Sequence, residues 1–73
     1  MSDTLLILGK KIRKRRGVLG LSQEALADCC GFDRTYISML ERGKRNPSLL
    51  NLMKLAAGLQ SSVSELTEGI ESS

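Results

Sequence analysis

The most constraining feature of this 73-residue chain is the segment at residues 21–47, LSQEALADCCGFDRTYISMLERGKRNP. Its apolar residues recur at the spacing of two short amphipathic helices, and Gly31 between them suits a tight turn. Polar groups open the second helix and basic groups follow it: Arg34, Thr35 and Tyr36, then Arg42, Lys44 and Arg45. Two helices with hydrogen-bonding groups at the start of the second have the form of a unit that enters a DNA major groove.

The charge is divided unevenly along the chain. Residues 1–54 hold all eleven basic side chains against five acidic ones, a net charge of +6, whereas residues 55–73 hold three glutamates and no basic residue. Only one end of the molecule should therefore face a polyanion. A solvated surface rich in Lys and Arg would have the same composition, so it is the position of the basic residues beside the two-helix unit that favours DNA.

The sequence predicts an all-α fold, a compact bundle of five helices in one domain that spans residues 1–73. We expect a core at residues 4–67 and a frayed tail at residues 68–73. Phe32 and Tyr36 are the only aromatic residues, so the core must be aliphatic, which suits packed helices better than a sheet. The five helices are predicted to begin at N-cap residues Thr4, Ser22, Asp33, Ser48 and Ser62, the last within a Ser62-x-x-Glu65 capping box.

Several classes of site are not expected. Cys29 and Cys30 are adjacent, which is poor geometry for a disulfide, and without histidine they do not form a zinc site. We interpret Cys30 as a small buried residue and Cys29 as a partly exposed thiol, consistent with a reducing cytoplasm. With no histidine, carboxylate pair or phosphate-binding glycine loop, we expect neither an enzyme nor a cofactor. The apolar run at residues 5–8 is too short to span a membrane.

Two ordered strings carry a family resemblance. They are Ile12-Arg13-x-x-Arg16-x-x-x-Gly20-Leu21-Ser22-Gln23-x-x-Leu26-Ala27 and Ile37-Ser38-x-x-Glu41-Arg42-Gly43-Lys44-x-x-Pro47, followed by Leu52, Ala56, Leu59 and Leu66. They resemble the Cro/repressor-type (XRE-like) helix-turn-helix regulators of phages and bacteria. The resemblance implies a lambda-repressor-like domain that is dimeric on DNA and acts on transcription. The run at residues 33–38, the short chain and the lack of an effector domain resemble restriction–modification controller proteins, which bind upstream of their own operon and activate or repress by occupancy.

Four positions depart from the family pattern. Arg15 occupies a place that is usually apolar, and Met39 stands where a polar base-reading residue is common. Gln60 replaces the glycine that often follows the fourth helix, and Ser61 replaces an apolar residue.

The expected DNA contacts follow from position in the two-helix unit and in the loop after it. We expect base contacts from Arg34, Thr35, Ser38, Met39 and Arg45. An arginine guanidinium can donate two hydrogen bonds to a guanine, whereas a methyl or thioether group can only give apolar contact. We expect phosphate contacts from Gln23, Tyr36, Arg42 and Lys44. The resemblance implies that Arg16 and Glu41 form a partly buried ion pair between the first and third helices.

A dimer needs an apolar face that the core does not use. We expect this face on the fourth and fifth helices, at Leu50, Met53, Ala57, Val63, Leu66 and Ile70. Leu6 and Ile7 on the first helix are the alternative seam.

The expected partners are double-stranded DNA and a second copy of the chain, with RNA polymerase as a further partner left open. Membrane binding by the basic first helix is the weaker alternative, because the downstream unit specifies a globular core. An antitoxin-type or phage repressor-type regulator, whose main partner is another protein, also remains open.

Overall fold

The computed structural model describes residues 3–70, and this range contains five helices and no strand. The helices are α1 (Asp3–Val18), α2 (Gln23–Cys30), α3 (Arg34–Glu41), α4 (Leu49–Gly58) and α5 (Val63–Thr67). The predicted all-α fold of five helices is confirmed.

Serine side chains begin three of the helices, as the sequence predicts. Each hydroxyl oxygen lies 3.0–3.1 Å from the backbone N–H three residues further on, at Ser22, Ser48 and Ser62. These bonds satisfy N–H groups that have no partner within the first turn of a helix. The predicted capping box is only half formed, because the Glu65 carboxylate accepts from the hydroxyl of Ser61 at 3.0 Å and that of Ser62 at 3.5 Å rather than from the Ser62 backbone N–H.

Two other helix starts differ from expectation. The prediction of Thr4 as an N-cap is wrong, because α1 begins at Asp3 and Thr4 lies inside it. Asp33 does occupy the N-cap position of α3, but its side chain makes no capping hydrogen bond. In the tail expected to fray, Ile70 packs partly buried against the core, and residues 71–73 lie outside the described residues.

The core is wholly aliphatic. It is formed where α3 packs on α1 and α2, α4 packs on α2 and α5, and α5 packs on α1. Its buried members are Leu8, Ile12, Leu26, Ala27, Ile37, Leu40, Leu55, Ala56, Leu59 and Leu66. Because Ile37, Leu40 and the Glu41 side chain are the buried part of α3, its first turn at Arg34 and Thr35 is available for a partner.

Gly9 permits a close approach that the sequence did not reveal. A Cβ atom at Gly9 would lie 2.6 Å from the backbone oxygens of both Leu40 and Glu41. Carbon and oxygen cannot approach so closely, so only glycine lets α1 lie directly against the C-terminal end of α3. This contact sets the position of α3 on the first helix.

The two cysteines are free thiols in different environments. Cys29 is exposed, whereas Cys30 packs against the core and its thiol donates to the Lys54 carbonyl with a sulfur–oxygen distance of 3.4 Å. Burial raises the pKa of Cys30, and the neighbouring Cys29 adds to the shift. The Cys30 thiol is therefore held in its neutral form.

Candidate nucleic-acid interface

The turn between α2 and α3 fixes the direction in which α3 leaves the core. Gly31 has a φ of 77°, a left-handed conformation that costs glycine little. The following Phe32 N–H donates to the Ala27 carbonyl at 2.8 Å and closes the end of α2. With Leu26 and Ile37 buried on the two sides of this turn, α3 is held by its apolar face and presents the opposite face outward.

The residues predicted to read bases lie on or beside that outward face. Arg34 and Thr35 are exposed in the first turn of α3, and Ser38 and Met39 are half-buried one turn later. The structure brings Thr35, Met39 and Arg45 to the rim of one shallow depression, although Arg45 belongs to the loop after α3. A donor fork, a hydroxyl and a flexible apolar group therefore share one surface.

Tyr36 is anchored rather than free. Its ring packs edge-on against Phe32 with centroids 4.9 Å apart, and its hydroxyl accepts a hydrogen bond from the Asn51 amide at 3.1 Å. The Arg45 guanidinium lies 5.1 Å from the centre of the same ring, within range of a cation–π interaction. The Tyr36 hydroxyl keeps its own proton to donate, so a phosphate contact is compatible with this arrangement. Asn51, the residue that positions Tyr36, had no signal in the sequence beyond its place in the first turn of α4.

The remaining predicted phosphate contacts are placed differently from one another. Arg42 and Lys44 are exposed at the end of α3 and in the loop that follows. Gln23 is half-buried at the first residue of α2, and its amide donates to Glu41 at 3.2 Å. A second N–H of that amide remains for a phosphate, but the side chain is held by the protein before any DNA arrives.

Arg16 and Glu41 form the ion pair that the resemblance implies. Arg16 Nε lies 2.6 Å from Glu41 Oε2 and Nη2 lies 2.9 Å from Oε1, so the contact is bidentate. Arg16 Nη1 also donates to the Leu21 carbonyl at 2.9 Å. The side chains are 17% and 4% exposed, respectively. The hydrogen bonds that Arg16 donates to the Glu41 carboxylate raise the pKa of Arg16 despite partial burial, so the charged guanidinium joins α1 to α3.

Arg15 makes contacts that the sequence did not predict. It stands at a place that is usually apolar in the family, and its Nε donates to the Leu59 carbonyl at 2.9 Å and its Nη2 to the Gln60 carbonyl at 3.0 Å. These carbonyls lie at the end of α4, more than forty residues away in sequence. The only sequence signal was that Arg15 and Gln60 both depart from the family pattern, and the structure shows that these two departures meet.

An exposed apolar surface lies on α4. Leu49, Leu50 and Met53 are 68%, 62% and 54% exposed, and Ala57 is exposed one turn beyond Met53. Leu66 does not belong to this surface: it is 2% exposed and its side chain is already used in the core, which corrects its place in the expected seam.

Other expected seam residues contribute less area. Val63 and Ile70 are half-buried against the core and offer only their edges. The alternative pair, Leu6 and Ile7, is 43% and 38% exposed on α1.

Two kinds of feature are absent from the part of the chain that the structure describes. Residues 3–70 hold no cluster of three or more histidine, cysteine or acidic side chains placed to bind a metal ion. Over the same residues, no helix combines the length and the apolar character needed to cross a membrane.

Comparison with known proteins agrees with this geometry. A family profile described as helix-turn-helix matches residues 11–66. The chain is 47% identical to control protein C.MunI from Mycoplasma sp over 97% of both chains, and 45% identical to control protein C.SmaI from Serratia marcescens over 88% of this chain and 76% of that protein. The crystal structure of the restriction–modification controller protein C.AhdI from Aeromonas hydrophila superposes with a TM-score of 0.86 at 45% identity, covering 89% of this chain and 98% of that one. The chain belongs to the helix-turn-helix family of DNA-binding transcriptional regulators, in the XRE-type branch that includes the restriction–modification controller proteins.

Proposed function

We propose that this chain is the controller protein of a restriction–modification system, a homodimer that binds a two-fold symmetric operator and regulates transcription by occupying it. The observation that carries the proposal is the match to control protein C.MunI, which extends over 97% of both chains and so includes every helix described above. The exposed polar start of α3 supports the same reading, because it supplies the groups that such a regulator needs.

The base-reading surface is the outward face of α3 together with Arg45. Arg34 stands first on the helix, where a forked guanidinium can bond to both acceptors of a guanine. Thr35 can bond to a base edge or pack its methyl group on thymine, and Ser38 and Met39 complete the contact one turn later. Arg45 is held beside the Tyr36 ring at the same depression, so its approach to the groove is partly set in the free protein.

Phosphate contacts flank this surface and supply affinity without sequence preference. Lys44 and Arg42 are exposed at the end of α3, and Tyr36 has a hydroxyl proton to donate. Gln23, at the positive end of the α2 dipole, offers its second N–H to a phosphate oxygen.

The dimer seam is centred on α4, at Leu50, Met53 and Ala57, with the edges of Val63 and Ile70 beside it. A small domain gains stability by covering such an apolar face. In a two-fold dimer the two copies of α3 would reach half-sites separated by about 34–36 Å, one turn of duplex.

The cellular setting follows from the same reading. A regulator of this kind acts in the cytoplasm, where thiols such as Cys29 stay reduced. RNA polymerase is the partner of the bound dimer wherever occupancy activates rather than blocks transcription.

Sedimentation and footprinting test the proposal together. The wild-type chain should sediment as a dimer at tens of micromolar and protect two half-sites one turn apart. Leu50→Glu should weaken the dimer, because it places a charge in the apolar seam. Val18→Glu is the matched control, since Val18 is 67% exposed on α1 and outside the seam.

Two outcomes would count against this arrangement. A monomer that protects one half-site would overturn the dimeric regulator. An intact dimer in Leu50→Glu, together with a monomer in Leu6→Glu, would place the seam on α1 instead.

A further inference from the structure

Two neighbouring arginines on α1 bind the ends of two different helices. Arg16 binds Glu41, the last residue of α3, and Arg15 binds the carbonyls of Leu59 and Gln60, which follow α4. Residues that are adjacent on a helix point about 100° apart, so one segment of α1 can hold both partners at once. It therefore connects the helix that reads DNA with the helix that carries the exposed apolar face.

The end of α4 forms a tight corner before α5. Gln60 adopts a left-handed conformation with φ of 53°. Its N–H donates to the Ala57 carbonyl at 3.1 Å, and the N–H of Ser61 donates to the Ala56 carbonyl at 2.8 Å. These two bonds are the pattern that closes many helix C-termini, and they satisfy carbonyls inside the last turn.

The Leu59 and Gln60 carbonyls take no part in this pattern, and Arg15 donates a hydrogen bond to each of them. Its forked guanidinium bridges two successive carbonyls, and its charge lies at the negative end of the α4 dipole. Leu59 is fully buried beneath the same corner. The corner is thus fixed by the burial of Leu59 in the core and by one pair of charged hydrogen bonds to α1.

At the opposite end of α4, the Asn51–Tyr36 hydrogen bond joins α4 to α3. Hydrogen bonds therefore hold α4 at both ends, to α3 at its start and, through Arg15, to α1 at its C-terminal end. If α4 forms the dimer seam, a tilt of α4 relative to α1 moves each α3 relative to the two-fold axis of the dimer. Each half-site lies about 17 Å from that axis, half of the ~34 Å between half-sites, so a small tilt changes the spacing of the two α3 helices.

We propose that Arg15 is a positioning residue that locks the α4–α5 corner onto α1 and thereby sets the half-site spacing at which the dimer binds DNA. This inference rests on the proposed function, since it needs a dimer that meets through α4. In this role Arg15 needs no contact with DNA or with the partner chain. It acts by holding the seam helix at one angle to the DNA-reading helix.

The test compares Arg15→Met with Arg13→Met. Methionine keeps an aliphatic stem but removes the guanidinium, and Arg13 is an exposed arginine of the same helix, so both variants lose the same charge. Each protein is titrated onto a single half-site and onto two-half-site duplexes with the natural spacing or with one base pair added or removed. Sedimentation and thermal melting are recorded in parallel.

Arg15→Met should bind the single half-site as Arg13→Met does but should lose about ten-fold of its preference for the natural spacing, which corresponds to roughly 1.4 kcal/mol. Arg15→Lys should be intermediate, because lysine keeps the charge but cannot bridge two carbonyls with a rigid fork. A purely structural role would lower the melting temperature and leave the spacing preference intact.

Equal spacing preferences in Arg15→Met and Arg13→Met overturn the proposal, whatever the melting temperatures. Should Arg15→Met fail to fold, Arg15→Lys is compared with Arg13→Lys by the same criterion. A wild-type chain that is monomeric, or that shows no spacing preference, refutes the proposed dimeric regulator itself. The two failures are therefore distinguished by the wild-type measurement.

Discussion

The Arg16 guanidinium makes three hydrogen bonds, two to Glu41 and one to the Leu21 carbonyl. Arg16→Ala would leave the Glu41 carboxylate, 4% exposed, with only the Gln23 amide beside it. Removing one member of a buried pair costs about 3–5 kcal/mol. We therefore expect Arg16→Ala to lower stability by that order, and thermal or urea unfolding would measure it.

The exposed Arg13→Ala is the control for the loss of charge. The double variant Arg16→Ala, Glu41→Ala should be less destabilised than the sum of the single variants, because it strands no charge. Since the pair raises the pKa of Arg16, its contribution is fully present below the pKa of an unfolded arginine and is lost only as the pH rises through the higher folded value. No loss from this group is expected near neutral pH. A fully stable Arg16→Ala protein that failed to bind DNA would instead make Arg16 a phosphate contact.

At the scale of the helices, the contact of α1 with the end of α3 depends on Gly9. Gly9→Ala would place a methyl group 2.6 Å from two backbone oxygens, which cannot rotate away as a side chain can. Overpacking of this kind costs about 1–3 kcal/mol, although alanine is the better helix former. We expect a lower unfolding midpoint together with weaker DNA binding, because α3 is displaced.

Gly17→Ala is the matched control, because Gly17 lies on the same helix and a Cβ atom there would meet nothing within 4 Å. It should be neutral or stabilising, as glycine is a poor helix former. If Gly9→Ala and Gly17→Ala had the same stability, the close approach of α1 to α3 would not matter to the fold.

The elements predicted from sequence are those with local signals. The Ser22, Ser48 and Ser62 caps and the Gly31 turn depend on residues within one turn of each other, and apolar spacing identified the buried faces. Arg15 was missed because its acceptors are backbone carbonyls, which have no sequence signature. Leu66 was assigned to the dimer seam, and only the packing of α5 shows that the core uses it fully.

At the scale of the whole molecule, the positive charge is concentrated in the part of the sequence that contains α3 and the loop after it. The +6 portion at residues 1–54 contains α3 and its basic loop, and the three glutamates at residues 65, 68 and 71 lie toward the other terminus. DNA should therefore approach from the side of α3, and part of the binding free energy should come from released counterions. The surface can thus be separated into residues that read sequence and residues that only neutralise phosphate.

That separation is tested by Arg34→Ala and Lys44→Ala. Arg34 begins the helix that we propose enters the groove, so its loss should cost about 1–3 kcal/mol on the cognate operator and relax preference at one base pair per half-site. Lys44 lies in the loop after that helix, so its loss should weaken binding to all sequences alike and reduce the slope of log affinity against log salt by about 0.9 for each phosphate contact removed.

Lys54→Ala replaces an exposed lysine of α4 and is the control that should change neither the sequence preference nor the salt dependence. Titrations on cognate and scrambled duplexes at several salt concentrations measure both effects. If Arg34→Ala weakened both duplexes equally, Arg34 would clamp the backbone, and base reading would depend on Thr35, Ser38 and Arg45.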